Sequence, residues 1–287
     1  MDILNTFFQG VSKDAIASII TSIIVFSLGF ASTLLYDHHK EEKRLKELRE
    51  YFFNLCEFIN TPIQNQINGL ETLANSIASD ETKSYTYSDI VDLDVSGIED
   101  IPKKELFKIL FKKKKDEVTE RSKYYNDILT AISFIAHIKE NTRYNFDVFF
   151  NEFKNYEKQW NALIQKILDQ KDIWTRSSIN NQRGPDQDSF LRKFDEAVYH
   201  WAQEPERLRS QIVYNNLIAP LKEICKSYSL QDERAFSLLK NLFESEFIYK
   251  NIQNLRNIHA NSFHQNVVDL QEKRNSLISA IAYFKKK

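Results

Sequence analysis

Residues 16–36, IASIITSIIVFSLGFASTLLY, contain no charged side chain, and the segment that follows, DHHKEEKRLKELRE, is dense in charge with no proline between the two. As a helix the uncharged run is about 30 Å long, the thickness of a bilayer's hydrocarbon core. It carries eleven Ile, Leu, Val or Phe residues, which favour insertion by roughly 3–6 kcal/mol before the Ser and Thr costs. A removable signal peptide fits poorly. The leader holds Asp2 and Asp14 as well as Lys13, and the run outlasts a normal signal-peptide core. A membrane-spanning helix at 16–36 is therefore expected, behind a short extracytoplasmic N-terminus at 1–15.

Lys and Arg near the ends orient such a helix. Lys13 stands alone on one side, against Lys40, Lys43, Arg44, Lys46 and Arg49 on the other. This predicts a single-pass protein with its N-terminus outside and its body in the cytoplasm, with a bacterial inner membrane as the favoured location. Ser18, Ser22, Gly29 and Thr33 fall within about 60° of one another on a helical wheel. Such a stripe of small residues allows a second helix to approach closely, and marks a possible homo-oligomer contact.

After the span the pattern changes period without stopping. Leu45, Leu48, Phe52, Leu55 and Ile59 step by 3, 4, 3 and 4, the spacing of a coiled-coil seam, here short enough to suit a contact inside a bundle. A helical stalk over 37–60 is expected, closed by Thr61-Pro62. The remainder, 61–287, reads as a cytoplasmic helical domain with loops near 80–102 and 177–189. Only 5 Gly and 5 Pro in 287 residues argue for long helices with few tight turns. Apolar stripes predict helices over 62–79, 103–115, 116–140, 141–171, 189–203, 205–228 and 231–283, the last with a break near HANSFHQN. The fold class expected is all-α: one N-terminal transmembrane helix continuing into a bundle of long antiparallel helices.

Candidate sites are sparse. Asp92, Asp94, Ser96 and Gly97 match the opening of a calcium-binding loop, but Lys103 stands where its bidentate Glu belongs, so no metal is expected there. His38, His39 and Glu42 have the spacing of a weak metal motif and read as interfacial polar residues. Lys103, Lys104, Lys108, Lys112, Lys113, Lys114 and Lys115 surround Leu106, Phe107, Leu110 and Phe111. This amphipathic cationic segment suits a solvated face, contact with anionic lipid or, least of the three, a nucleic-acid backbone. Phe146, Phe149, Phe153, Tyr156 and Trp160 form a regular aromatic stripe, as expected of a core. Cys56 and Cys225 read as two free thiols in a reducing compartment.

One short stretch, RNIHANSFH, resembles the Arg/His sites of helical HEPN ribonucleases, where a base and a cation meet one phosphate. The resemblance covers about nine residues, and would make Arg256, His259 and His264 the catalytic candidates. The spacing departs from the family's four to six: His259 follows Arg256 too soon and His264 too late. No P-loop, dinucleotide fingerprint, nucleophile elbow, zinc-protease or paired Cys-x-x-Cys motif is present. With a net charge of −1, no nucleic-acid partner is expected. No cofactor is expected either. The function expected is a non-enzymatic, membrane-anchored module for protein interaction or signal sensing. The alternatives are a self-oligomerising, membrane-perturbing effector and a membrane-tethered HEPN-like nuclease.

Overall fold

A computed structural model describes residues 13–79, 96–111, 118–180 and 188–286, and every regular element among them is helical. In chain order these are α1 (Lys13–Phe58), α2 (Asn60–Ala78), α3 (Ser96–Glu99), α4 (Lys103–Phe111), α5 (Val118–Asn180), α6 (Ser189–Ala202), α7 (Ser210–Val213), α8 (Ala219–Tyr228) and α9 (Glu233–Lys286). A π-helical turn, Tyr214–Ile218, joins α7 to α8.

Helix α1 runs through the change from apolar to charged sequence as one 46-residue element. Nothing between its ends stops it, since Gly29 is its single glycine and it contains no proline. It yields at Ile59, and α2 begins at Asn60 with Pro62 in its first turn. A proline is tolerated there because that N–H has no helical partner to lose.

Two long helices pass through places where the sequence suggests a break. Asn141 lies inside the 63-residue α5, exposed, and the hydroxyl of buried Thr142 donates to the Ile138 carbonyl at 2.6 Å. A polar residue on the solvent face removes no backbone hydrogen bond, so the helix continues. Likewise α9 spans HANSFHQN without interruption, with Phe263 fully buried in the middle of that stretch. The π-helical turn has an identifiable cause. Pro220 lies in the following turn and supplies no N–H to the residue four back, so the widened register takes up the defect.

The described chain divides into two compact units. The first is Met1–Phe58, Ser96–Asn126 and Ala280–Lys287; the second is Ile59–Val95 and Asp127–Ser279. In the first, the stalk seam buries Leu45 and Phe52 together with Phe53 and Cys56. Here α1 packs against α3 and α4. Gly97 of α3 sits where an added Cβ would lie 3.5 Å from Leu55, an ordinary contact distance. In the second, α2 buries Ile63, Ile67, Leu70, Leu73 and Ile77, the face its sequence spacing predicts. The aromatic stripe of α5 is core: Phe146, Phe149, Phe153 and Trp160 are all buried. Helix α6 starts on Asp188, whose side chain accepts the Leu191 N–H at 3.0 Å, and buries Phe190, Leu191 and Phe194.

Candidate functional site

Among the described residues, none buries the apolar window in the first half of α1. Ile23, Val25, Phe26, Leu28 and Leu35 are each more than half exposed. Core helices of water-soluble proteins hide such residues. This helix is long and apolar enough to cross a membrane, and none of its apolar window is buried within the protein. Three of its hydroxyls bond its own backbone. Thr21 donates to the Ala17 carbonyl, Ser22 to Ser18 and Thr33 to Gly29, at 2.8–3.0 Å. Each bond lowers the cost of placing that hydroxyl in an apolar medium. The predicted small-residue stripe is open, and a Cβ added to Gly29 meets nothing within 4 Å.

Immediately below, the stalk half of α1 gains neighbours. Arg44 donates to both Glu41 and Glu105, while Lys108 reaches Glu105 at 3.0 Å and Glu41 at 3.6 Å. This network clips α4 to the stalk. The Arg44 hydrogen bond holds the Glu41 carboxyl down to about 2, and the same guanidinium, with Lys108, lowers that of Glu105. Lys285 pairs with Glu57 and lies 5.7 Å over the Phe53 ring, tying the end of α9 to the stalk.

Between these attachments lies a cavity of about 470 Å³, lined by His39, Glu42, Lys43, Leu45, Lys46 and Arg49 of α1, Ile109 and Leu110 of α4, Arg121 of α5 and Phe284 of α9. That volume is within the range of about 300–1,000 Å³ usual for small-molecule sites. Four permanent cations face one carboxylate there. Two are fixed: Arg121 is buried and donates to the Leu110 carbonyl at 3.1 Å, and Arg49 donates to the Phe284 carbonyl. Lys43 and Lys46 are exposed at the rim, Lys43 lying 4.0 Å from Glu47. Leu45, Ile109, Leu110 and Phe284 give the site an apolar wall.

His39 and Glu42, singled out in the sequence, line this cavity, and the other candidate residues fall elsewhere. Lys103 and Lys104 are exposed on α4, while Lys108 is engaged in the ion network. Lys112, Lys113, Lys114 and Lys115, like Asp92 and Asp94, lie outside the described residues. His38 approaches Glu42 at 3.9 Å, and no metal-holding cluster of three His, Cys, Asp or Glu occurs among the described residues. Arg256 is buried with its guanidinium 5.2 Å over the Phe153 ring, and burial lowers it to about 10. His259 lies 5.4 Å from Phe149; burial pushes its imidazole down, partly opposed by Glu152. His264 is half-buried one helical turn beyond Ala260. Arg256 and His259 thus pack against the aromatic stripe of α5. An arginine only 4% exposed is poorly placed to meet a phosphodiester from solvent.

The cavity beside the stalk is the site that sequence reasoning missed. Its α1 cations are visible in the sequence as an orienting charge cluster, but Arg121 and Phe284 come from distant positions that no spacing rule connects. No protein-family model matches this chain, and neither a curated protein nor a solved structure is similar to it.

Proposed function

We propose that this chain is a single-pass membrane protein whose helical body, an antiparallel bundle on the cytoplasmic side, is a non-enzymatic module for protein interaction or signal sensing. The observation that carries this reading is α1 itself. The apolar window of its first half is unburied among the described residues, while its second half is buried along one face against α3 and α4. A bilayer is the environment that removes so much apolar surface from water without a protein partner. The excess of Lys and Arg beyond residue 36 supports the cytoplasmic orientation.

Alkaline carbonate extraction of native membranes, followed by protease treatment of intact cells, tests both halves of this reading. The protein should stay in the membrane pellet, and residues beyond 40 should be protected until the membrane is opened. Release by carbonate would remove the anchor, and cleavage in intact cells would reverse the orientation. A mild-detergent pulldown should then recover a partner in near-stoichiometric yield.

A second reading, a self-assembling effector that perturbs the bilayer, is favoured by the open face at Gly29. Its test is toxicity on overexpression that disappears in Gly29→Leu.

A further inference from the structure

We propose that the cavity at the foot of the span binds the phosphate of an anionic phospholipid headgroup from the adjoining leaflet. The inference rests on the membrane-anchored reading and adds the ligand class. Three observations carry it.

The first is charge. Lys43, Lys46, Arg49 and Arg121 converge on one cavity against a single carboxylate, Glu42, in a protein whose overall net charge is −1. Arg49 and Arg121 are held in place by backbone carbonyls of Phe284 and Leu110 before any ligand arrives. Arg49, fixed in this way at the cavity wall, loses little entropy on binding an anion. The rim lysines add charge that follows the ligand in.

The second is the wall. Leu45, Ile109, Leu110 and Phe284 line the same cavity, so the ligand it fits is an anion carrying an apolar or glycerol portion. A phospholipid joins those two properties at its phosphodiester.

The third is position. His39 lies about 5 Å, and Lys43 about 10 Å, along the helix beyond residue 36. The polar layer of one leaflet is about 5–8 Å thick. The mouth of the cavity therefore opens at headgroup level, and its deeper cations draw the phosphate below that level.

A free phosphate ester has the same recognition chemistry, so the experiment separates the two sources. The full-length protein is placed in nanodiscs of phosphatidylcholine with or without phosphatidylglycerol, and co-purifying lipid is measured by native mass spectrometry. In parallel, glycerol 3-phosphate is titrated into protein in pure phosphatidylcholine discs. Lys43→Gln/Lys46→Gln is the test pair, and Lys103→Gln/Lys104→Gln is a control on an exposed basic surface. Circular dichroism confirms that both pairs keep their helix content.

Wild type is expected to retain phosphatidylglycerol over phosphatidylcholine. The test pair should weaken that retention about thirtyfold, the value for two lysines each attracting an anionic lipid, and the control pair should leave it unchanged. Equal loss in both pairs, or no preference in wild type, overturns the proposal. Lys43/Lys46-dependent binding of glycerol 3-phosphate without phosphatidylglycerol retention moves the same chemistry to a soluble ligand and overturns the lipid assignment. Release of the protein by alkaline carbonate would sink the anchor independently, because the glycerol 3-phosphate titration can be repeated in detergent.

Discussion

Arg234 donates to the carboxylate of Asp188 at 2.7 Å while that carboxylate also accepts the Leu191 N–H, so a residue at the start of α9 locks the N-cap of α6. The same guanidinium reaches Asp232, whose Oδ1 accepts the Arg234 N–H at 2.9 Å and so caps α9. One arginine thereby holds the first turns of two helices in register, with its face 5.3 Å from the Phe190 ring. Burial alone would raise the Asp188 carboxyl, but Arg234 and the Leu191 N–H outweigh it and hold it below the ordinary range.

Asp188→Ala removes a helix cap and leaves Arg234 with one carboxylate instead of two. It should cost about 1–3 kcal/mol, read as a lowered urea midpoint for the full-length protein in detergent. Asp188→Asn keeps an N-cap acceptor and should recover part of the loss. A midpoint unchanged in Asp188→Ala would show that the cap contributes nothing.

The aromatic stripe of α5 predicts a larger effect. Phe149 is fully buried and stacks on Phe153 at 5.6 Å. Phe149→Ala should destabilise the second unit by about 3–5 kcal/mol through lost burial and the cavity left behind. The same change at exposed Tyr144 should move the midpoint by less than about 0.5 kcal/mol. Similar costs at both positions would contradict the assignment of the stripe to the core.

Acid should weaken the second unit through Glu246. Its carboxylate accepts from Lys222 at 2.8 Å and lies 3.0 Å from Lys250, which together hold it at about 2. The folded carboxyl titrates below the ordinary value of 4.5, so its stabilisation is fully present above that value. It is lost as pH falls from about 4.5 towards 2. Glu246→Gln should flatten this part of the stability–pH curve while leaving the acid sensitivity due to Asp188 and Asp232 in place. A curve unchanged in that variant would refute the pairing.

Cys56 and Cys225 are both buried, and burial pushes each thiol up to about 12. Both should resist maleimide at neutral pH in the folded protein and react fully in denaturant, since the thiolate is the nucleophile. Fast labelling of the native protein at either position would place that thiol at the surface.

Much of the helical framework was legible from period alone. The stripe Ile63, Ile67, Leu70, Leu73 and Ile77 and the aromatic stripe of α5 each state their buried face in their spacing, because a helix repeats on a scale shorter than the stripe. Helix length was harder to read. The polar residues near Asn141 and around His259–His264 resemble loops in composition, yet they lie on helices whose other faces are packed. Composition reports solvent exposure, and an exposed face and an exposed loop look alike to it. The cavity beside the stalk was out of reach for a different reason. Arg121 and Phe284 join Lys43 and Lys46 only through tertiary packing, and a single sequence carries no signal that pairs positions so far apart.

The unbroken course of α1 has a directional consequence. Ser18 and Leu45 are separated by about seven and a half turns, so they point in roughly opposite directions around a straight helix axis. The azimuth at which the glycine–serine–threonine face looks out is therefore tied, by residue count alone, to the azimuth at which the stalk grips α3 and α4. A neighbour approaching Gly29 arrives from the side facing away from that grip. Inserting one residue between Tyr36 and Leu45 would swing one azimuth against the other by about 100°, and inserting seven would nearly restore it.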